Sequence, residues 1–147
     1  MAEDIIINTD GGARGNPGPG ACAFVITVDK GVIYKSSKYL GTTTNNQAEY
    51  GGVILALLYL AEKPEEFAGK RIIFVLDSEL VARQLSGEYK TKNKDLRNRL
   101  EQAKVLEKKI KARVQYTVVS RERNKVADEL VNQELDKNSG SFTLLNK

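Results

Sequence analysis

Residues 4–20 read DIIINTDGGARGNPGPG, an apolar run followed by a segment rich in glycine and proline. The run Asp4–Asp10 predicts a short strand buried on both faces, because its apolar residues are consecutive rather than alternating. The segment Gly11–Gly20 holds five of the twelve glycines and two of the three prolines, which predicts a loop rather than the interior of a helix or strand. Asp10 therefore stands where the predicted strand ends.

The residues that follow predict two more strands, Ala21–Val28 and Val32–Leu40, joined by a hairpin. Thr44 and Gln47 fit a capping box. The predicted helix that starts there ends near Glu62 and is apolar almost all round, as expected of a helix in the core. The pattern then predicts a strand at Arg71–Leu76, a short helix capped by Ser78, a helix from about Asn93 to Lys111, a strand at Arg113–Val119 and a last helix capped by Asn124.

A hairpin followed by strands that helices connect predicts an α/β fold, with a mixed sheet and helices packed on its faces. No repeat, low-complexity tract or linker interrupts the sequence, so residues 1–147 predict a single domain, with 137–147 as a possible C-terminal tail. In such sheets, ligands bind at the carboxyl ends of the parallel strands. Residues at those ends are therefore the candidates for function.

The composition excludes several kinds of active site. The 147 residues are 41% hydrophobic and 29% charged, which is typical of one globular domain with its own core. The absence of histidine excludes a Ser-His-Asp or Cys-His relay and a histidine-based zinc site. The single cysteine, Cys22, excludes an intrachain disulfide and suits a reducing cytoplasm. Hydrolytic chemistry would therefore use carboxylates, hydroxyls, amines or hard metal ions.

The net charge of +4 is unevenly distributed. The segment Arg83–Arg113 contains eleven Lys or Arg and four Asp or Glu, a local charge of +7, against −3 for the rest of the chain. A basic segment on an acidic body indicates a polyanionic partner, although a solvated helix face rich in Lys and Glu explains the charge equally well. We find no targeting signal or membrane-spanning run in the sequence.

Three carboxylates are predicted to meet at one end of the sheet. Asp10 and Asp77 each follow a predicted strand, and they would lie side by side if those strands are parallel neighbours. Glu49 lies near the start of the apolar helix, beside Gly51 and Gly52. Two glycines there would let the helix approach the sheet closely and place Glu49 against it.

A fourth acid, Asp128, lies near the start of the last predicted helix, where the helix N-terminus favours a negative charge. Taken singly, an Asp at a strand end is more often a turn or cap residue, but Glu49 on an apolar helix needs a partner. Converging carboxylates repel one another, and a pair of divalent cations such as Mg²⁺ would neutralise them. Two such ions about 4 Å apart can hold a phosphodiester for in-line attack.

Four blocks of the sequence each contain one of these acids. In chain order they are TDGG at 9–12 with GNPGPG at 15–20, TTNNQAEY at 43–50, DS at 77–78 with Val81 and Gln84, and Asn124 with Ala127 and Asp128. Together the blocks resemble the type 1 ribonuclease H family over nearly the whole chain. The resemblance implies a ribonuclease H-like fold, whose five-stranded mixed sheet has three antiparallel and then two parallel strands, with helices on both faces.

The resemblance also implies an activity and a catalytic centre. The expected enzyme is an endoribonuclease that cleaves the RNA strand of RNA/DNA hybrids with two metal ions, leaving 3′-hydroxyl and 5′-phosphate ends. The expected ions are Mg²⁺, with Mn²⁺ as a possible substitute. The metal ligands and catalytic residues that the resemblance implies are Asp10, Glu49, Asp77 and Asp128.

Four further residues match substrate-binding positions of the family. Asn16, Asn45 and Asn46 match residues that contact the RNA strand or its bases in the minor groove, and Thr44 matches part of a pocket for a DNA-strand phosphate. Hybrids are recognised by shape, phosphates and the 2′-hydroxyl rather than by base sequence, and small polar side chains suit that task. Helix capping is the alternative role for Asn45 and Asn46, and a turn role is the alternative for Asn16.

The sequence departs from the family pattern in the loop before the last acid. Many members carry a histidine there, whereas this chain has Arg121, seven residues before Asp128. Arginine stays charged at any working pH, so it cannot act as a base. We hypothesise that Arg121 contacts the scissile phosphate or helps the product to leave; the alternative is a solvated loop charge.

Three other functions remain compatible with the sequence. The enzyme could also cleave double-stranded RNA, which shares the A-form shape. A catalytically inactive module that binds hybrids or RNA is disfavoured because all four acids are present. A nuclease acting on DNA, as in resolvase-like relatives, is disfavoured by the residues Asn45, Asn46 and Gln47. We expect a monomer in the cytoplasm that does not bind membranes.

Overall fold

A computed structural model of the chain describes residues 4–139. Within that range, a five-stranded sheet is accompanied by four α-helices and a short 3₁₀ helix at Arg121–Asn124. The strands are β1 Asp4–Ala13, β2 Gly18–Val28, β3 Gly31–Thr43, β4 Arg71–Leu76 and β5 Arg113–Val118. The α-helices are α1 Asn45–Ala61, α2 Glu79–Leu85, α3 Lys94–Lys109 and α4 Lys125–Lys137.

The sheet has the strand order β3-β2-β1-β4-β5. The ladders β1–β2 and β2–β3 are antiparallel, whereas β1–β4 and β4–β5 are parallel. This arrangement confirms the predicted mixed sheet. The β1–β4 register pairs Asn8 with Val75, and Asp10 and Asp77 each follow two residues later. Both carboxylates therefore lie at the same end of the sheet.

Helices cover both faces of the sheet, as predicted. On one face, α1 and α3 pack over apolar side chains of the central strands, which include Ile5, Ile7, Phe24, Ile72 and Phe74. On the other face, α4 packs Val131 and Leu135 against Ala21 and Ala23 of β2. Small residues on this face allow the helix to lie close to the sheet, which brings the start of α4 near the end of β1.

The prediction of a loop over Gly11–Gly20 was wrong for most of that segment. β1 continues to Ala13 and β2 begins at Gly18, so the turn is confined to residues 14–17. Glycines can lie within these strands because atoms of neighbouring segments occupy the space where a side chain would otherwise lie. A Cβ on Gly11 would collide with the backbone carbonyl of Ala48, and one on Gly20 would collide with the side chain of Thr43.

The helix starts agree with the predictions in all four cases, since α4 begins at Lys125, directly after its predicted cap residue. Thr44 and Gln47 form the complete capping box of α1, and the side chains of Ser78 and Asn93 cap α2 and α3. Asn124 occupies the N-cap position of α4 as predicted, but its side chain makes no capping hydrogen bond. Its amide bonds instead to β1 and to Asp77, as described below.

The C-terminal part of the chain is described as far as Ser139. Lys137, with which the predicted tail begins, is the last residue of α4, and residues 140–147 lie outside the described range. Among the described residues, no helix has both the length and the apolar character needed to cross a bilayer.

Candidate active site

Close contact between α1 and β1 brings Glu49 to the sheet. Gly52 faces the backbone of two strands: a Cβ there would lie 2.7 Å from the carbonyl oxygen of Asp10 and 3.1 Å from that of Ala23. Gly11 leaves room for α1 from the strand side, beneath Ala48 and Glu49. The predicted close approach is therefore present, and glycines on both the helix and the strand allow it.

Three carboxylates converge at this contact. Asp10, Glu49 and Asp77 each have an oxygen atom that lies within 4.8 Å of the corresponding atoms of the other two. Asp10 is 5% exposed and Glu49 is 7% exposed, whereas Asp77 is half-buried. The cluster therefore lies at the end of the sheet with one side open to solvent.

Burial and mutual repulsion make the cluster unfavourable when it is fully charged. Burial and the nearby charge of Asp77 raise the pKa of Asp10 from 3.8 to about 7, although the Gly11 N–H donates to Asp10 Oδ1 at 2.9 Å. Burial, and next the charge of Asp10, raises the pKa of Glu49 well above its ordinary value of 4.5. Both shifts favour the protonated forms of the two carboxylates, and a cation bound between them would oppose this effect by stabilising the charged forms.

The donor set fits a hard divalent cation. Three carboxylates offer oxygen ligands alone, which are the ligands that Mg²⁺ and similar ions prefer. Glu49 Oε2 is a buried oxygen without a hydrogen-bond partner among the described residues. An unpaired buried carboxylate oxygen is costly, and coordination to a cation would satisfy it. Asp10, Glu49 and Asp77 are therefore the residues that could hold a metal ion.

Asp128 and Arg121 line the same cavity of about 350 Å³ as the three clustered acids. Asp128 lies in the first turn of α4 but is not part of the compact cluster. Its Oδ2 atom accepts a hydrogen bond of 3.5 Å from Asn132, one helical turn later. Arg121 is exposed and lies in the 3₁₀ helix that precedes α4.

The four predicted substrate-binding residues gather around the start of α1. Thr44 Oγ1 accepts from the Gln47 N–H at 3.2 Å, as a helix cap. Asn45 and Asn16 connect α1 to the β1–β2 turn: Asn45 Oδ1 accepts from the Ala13 N–H at 2.9 Å, and Asn16 Oδ1 accepts from the Asn45 N–H at 3.0 Å. These contacts involve the side-chain oxygens of Asn16 and Asn45. The Nδ2 groups of the two residues, which are hydrogen-bond donors, take no part in them.

These residues divide between two depressions. Asn45 and Asn46 line the cavity of the acidic cluster. Asn16, Thr44 and Asn46 line a neighbouring depression of about 270 Å³, which lies between the capped starts of α1 and α3. Asn46 therefore stands at the boundary between the two.

Three residues of the site were not predicted from the sequence. Asn124 is 1% exposed; its Nδ2 donates to the Thr9 carbonyl at 2.8 Å and to Asp77 Oδ2 at 3.5 Å, so it connects β1 to the cluster. Arg14 and Asn132 line the cavity. The position of Asn132 four residues after Asp128 could have placed it on the same helix face. Arg14 had no such signal, because it lies in a segment interpreted as an irregular loop.

Comparisons with known proteins agree with this geometry. A family model described as reverse transcriptase-like matches residues 8–134. The bifunctional protein Rv2228c of Mycobacterium tuberculosis is 39% identical over 134 residues, which cover 90% of this chain and 35% of that protein. Ribonuclease HI of Halobacterium salinarum is 38% identical over 136 residues, covering 86% of this chain and 62% of the relative. The chain thus spans about a third to three-fifths of the length of these relatives.

Two solved structures resemble the chain over almost their full length. LC11-RNase H1, solved in complex with an RNA/DNA hybrid, has a TM-score of 0.86 and 41% sequence identity, covering 91% of this chain and 98% of that one. RNase H1 from Halobacterium salinarum has a TM-score of 0.83 and 36% identity, with the same coverage of 91% and 98%. Sequence identity, fold and the acidic cluster agree, and the chain belongs to the type 1 ribonuclease H family.

Proposed function

We propose that this protein is an endoribonuclease that hydrolyses the RNA strand of RNA/DNA hybrids, using two Mg²⁺ ions and leaving 3′-hydroxyl and 5′-phosphate ends. The observation that carries the proposal is the cluster of Asp10, Glu49 and Asp77, with its unpartnered buried oxygen on Glu49. The relative LC11-RNase H1, which was solved with an RNA/DNA hybrid, supports the choice of substrate.

In this proposal, the four acids of the cavity hold the metal ions. Asp10, Glu49 and Asp77 supply the clustered ligands, and Asp128 supplies a more exposed one from α4. Mg²⁺ held by these acids, or Mn²⁺ in its place, would supply the chemistry that activates water and stabilises the leaving oxygen of a phosphodiester. Asn124 fixes the position of Asp77 relative to β1, so that the ligands are oriented before the substrate arrives.

The residues at the start of α1 would bind the two strands of the hybrid. The N–H groups at a helix N-terminus attract phosphate, and Thr44 lies at that end of α1, which supports a DNA phosphate in the neighbouring depression. Asn45 and Asn46 lie at the cavity of the acids, which supports their contact with the RNA strand. Asn16 connects the two regions through Asn45.

Arg121 is proposed to contact the scissile phosphate or to help the product leave. It lines the cavity of the acids and is exposed, so a phosphate in the cavity could reach the guanidinium. Arginine donates hydrogen bonds to phosphate without itself accepting a proton, which restricts it to binding and electrostatic roles. We further propose that the protein acts as a monomer in the cytoplasm, where its buried free cysteine, Cys22, would remain reduced.

Cleavage of four matched substrates tests the proposed function. The wild-type protein and the Asp77→Asn variant are incubated with a hybrid, double-stranded RNA, single-stranded RNA and duplex DNA, each with Mg²⁺. We expect the wild-type protein to cleave the RNA strand of the hybrid and Asp77→Asn to lose cleavage but keep binding. Cleavage of double-stranded RNA as well would extend the substrate range. Binding without cleavage by the wild-type protein would indicate an inactive binding module, and cleavage of duplex DNA would overturn the proposal.

A further inference from the structure

Arg14 lies in the turn between β1 and β2 and lines the cavity that holds the acidic cluster. Its Nη2 atom lies 2.7 Å from Asp136 Oδ1 and donates to Asn132 Oδ1 at 3.5 Å. Both partners belong to α4, as does Asp128. The guanidinium is therefore held beside the cavity by polar side chains of α4.

The ion pair with Asp136 does not explain why an arginine stands at this position. The side chains of Arg14 and Asp136 are 45% and 68% exposed, and pairs between such exposed groups contribute little to stability. The turn has other supports: the Arg14 N–H donates to the Pro19 carbonyl at 2.8 Å, and Asn16 Oδ1 accepts from the Asn45 N–H. The Arg14 side chain can thus leave Asp136 without loosening the turn.

The charges of the cavity favour a phosphate ligand for Arg14. The lining contains four carboxylates, and the positive charges in it are those of Arg14 and Arg121. A nucleic-acid strand that crosses the cavity brings a negative charge with each nucleotide, including phosphates beside the one that is cleaved. A guanidinium can bind such a phosphate with two parallel N–H groups. A phosphate is therefore a stronger partner for Arg14 than an exposed Asp136.

We propose that Arg14 binds a backbone phosphate of the RNA strand next to the cleaved bond, and that it exchanges its contact with Asp136 for this phosphate when the substrate binds. The inference rests on the proposed function and adds a substrate-binding residue to it. Asp136 competes with the phosphate for the guanidinium. Removing Arg14 and removing the charge of Asp136 therefore have different consequences for substrate binding.

Steady-state cleavage of an RNA/DNA hybrid with Mg²⁺, measured at several salt concentrations, tests this assignment. The variants are Arg14→Gln, Arg14→Lys and Asp136→Asn. The matched control is Arg71→Gln, because Arg71 forms a similarly exposed ion pair with Asp4 at the opposite end of the sheet. Thermal unfolding of each variant verifies that it is folded, and Arg14→Lys keeps the positive charge if Arg14→Gln does not fold.

For Arg14→Gln we expect KM to rise about tenfold, with kcat within about twofold of wild type. The salt slope, which is the slope of log(kcat/KM) against the logarithm of the salt concentration, should fall in magnitude by about one. Arg14→Lys should keep the salt slope, Asp136→Asn should leave KM unchanged or lower it, and Arg71→Gln should match wild type. An Arg14→Gln variant with the KM and salt slope of wild type would overturn the assignment. Equal increases of KM in Arg14→Gln and Asp136→Asn would also overturn it, because they indicate a purely structural ion pair.

The same experiment separates this inference from the proposed function. If the wild-type protein and Arg71→Gln cleave the hybrid while Arg14→Gln behaves like them, the role of Arg14 is wrong and the proposed function stands. If the wild-type protein does not cleave the hybrid, the proposed function is wrong and the assignment of Arg14 falls with it.

Discussion

Arg121 stands in the loop where many family members carry a histidine, and it lines the cavity of the acids from the 3₁₀ helix before α4. Its neighbour Arg123 lines a different depression, next to Asn8 and Val126. The two arginines therefore share one short helix but face different surfaces. This difference makes Arg123 a suitable control for the role of Arg121.

We predict that Arg121→Ala lowers kcat for hybrid cleavage at least tenfold, which corresponds to about 1.4 kcal/mol of transition-state stabilisation. The reason is the loss of a guanidinium that can contact the substrate phosphate. Arg123→Ala should keep the turnover of the wild-type protein. Single-turnover and steady-state rates measure the effect and separate chemistry from product release. Unchanged rates in Arg121→Ala would remove this residue from the site.

Among individual residues, the sequence predicted those site residues whose side chains are uncommon in their local setting. Glu49 on an apolar helix needed a partner, and Asp10 and Asp77 were placed at the same end of the predicted sheet, so their convergence could be predicted although β1 continues beyond Asp10 to Ala13. Asn124 was correctly placed at the start of α4, but only a capping role was predicted for it because Asn is a common helix cap. Its actual contacts with Thr9 and Asp77 join residues 47 or more positions apart, which no local pattern reveals.

At the scale of elements, the contact between α1 and β1 determines where Glu49 lies. Gly52 meets rigid backbone atoms of β1 and β2, whereas Gly51 meets side-chain atoms: a Cβ there would lie 3.3 Å from Leu40 Cδ1 and 3.4 Å from Cys22 Sγ. Backbone cannot move aside as a side chain can. The two neighbouring glycines should therefore differ in their tolerance of a methyl group.

We predict that Gly52→Ala lowers the free energy of unfolding by roughly 1–3 kcal/mol through overpacking and reduces hybrid cleavage by displacing Glu49 from Asp10. Gly51→Ala should be neutral or stabilising by up to about 1 kcal/mol, because alanine favours the helix more than glycine does. Urea denaturation of the two variants measures the difference. Equal stability of the two variants would show that the backbone beside Gly52 is not rigid enough to exclude a methyl group.

The types and order of the elements could be predicted because hydrophobic runs, caps and turns are local signals. The ends of β1 and β2 could not, because glycine and proline usually interrupt a strand. In this fold the glycines of the β1–β2 ladder remain in strands, since α1 and β3 occupy the space beside Gly11 and Gly20. This packing depends on the tertiary structure, so it could not be predicted from the local sequence.

At the scale of the whole molecule, the basic segment Arg83–Arg113 includes a surface suited to nucleic acid. Lys90, Lys92 and Lys104 line a depression of about 560 Å³ together with the aromatic ring of Tyr89. Cations beside an aromatic side chain are typical of surfaces that bind a nucleic-acid backbone. The uneven charge of the sequence thus coincides with a concave region outside the acidic cavity.

We predict that hybrid binding weakens steeply with salt, because each phosphate contact releases counterions. Binding by Asp77→Asn, which should not cleave, gives the slope of log Kd against log salt. Adding Lys90→Gln and Lys92→Gln should reduce that slope by about two, whereas Lys30→Gln and Lys35→Gln in the same background should leave it unchanged. If neither pair of substitutions changes the slope, Lys90 and Lys92 face solvent and do not contact the hybrid.

If Asp10, Glu49 and Asp77 hold divalent cations, Mg²⁺ should stabilise the folded protein, and thermal unfolding with and without Mg²⁺ measures this effect. At about ten times Kd, the ion should stabilise the wild-type protein by about 1.4 kcal/mol, which raises Tm by roughly 3–6 °C for a chain of this size. Asp29→Asn, which removes an exposed acid from the β2–β3 turn, should keep this increase. Asp10→Asn should raise Tm without the ion, by removing a repelling charge, and should lose most of the response. A Tm that Mg²⁺ does not change in the wild-type protein, or changes equally in Asp10→Asn, would show that these acids do not hold the ion.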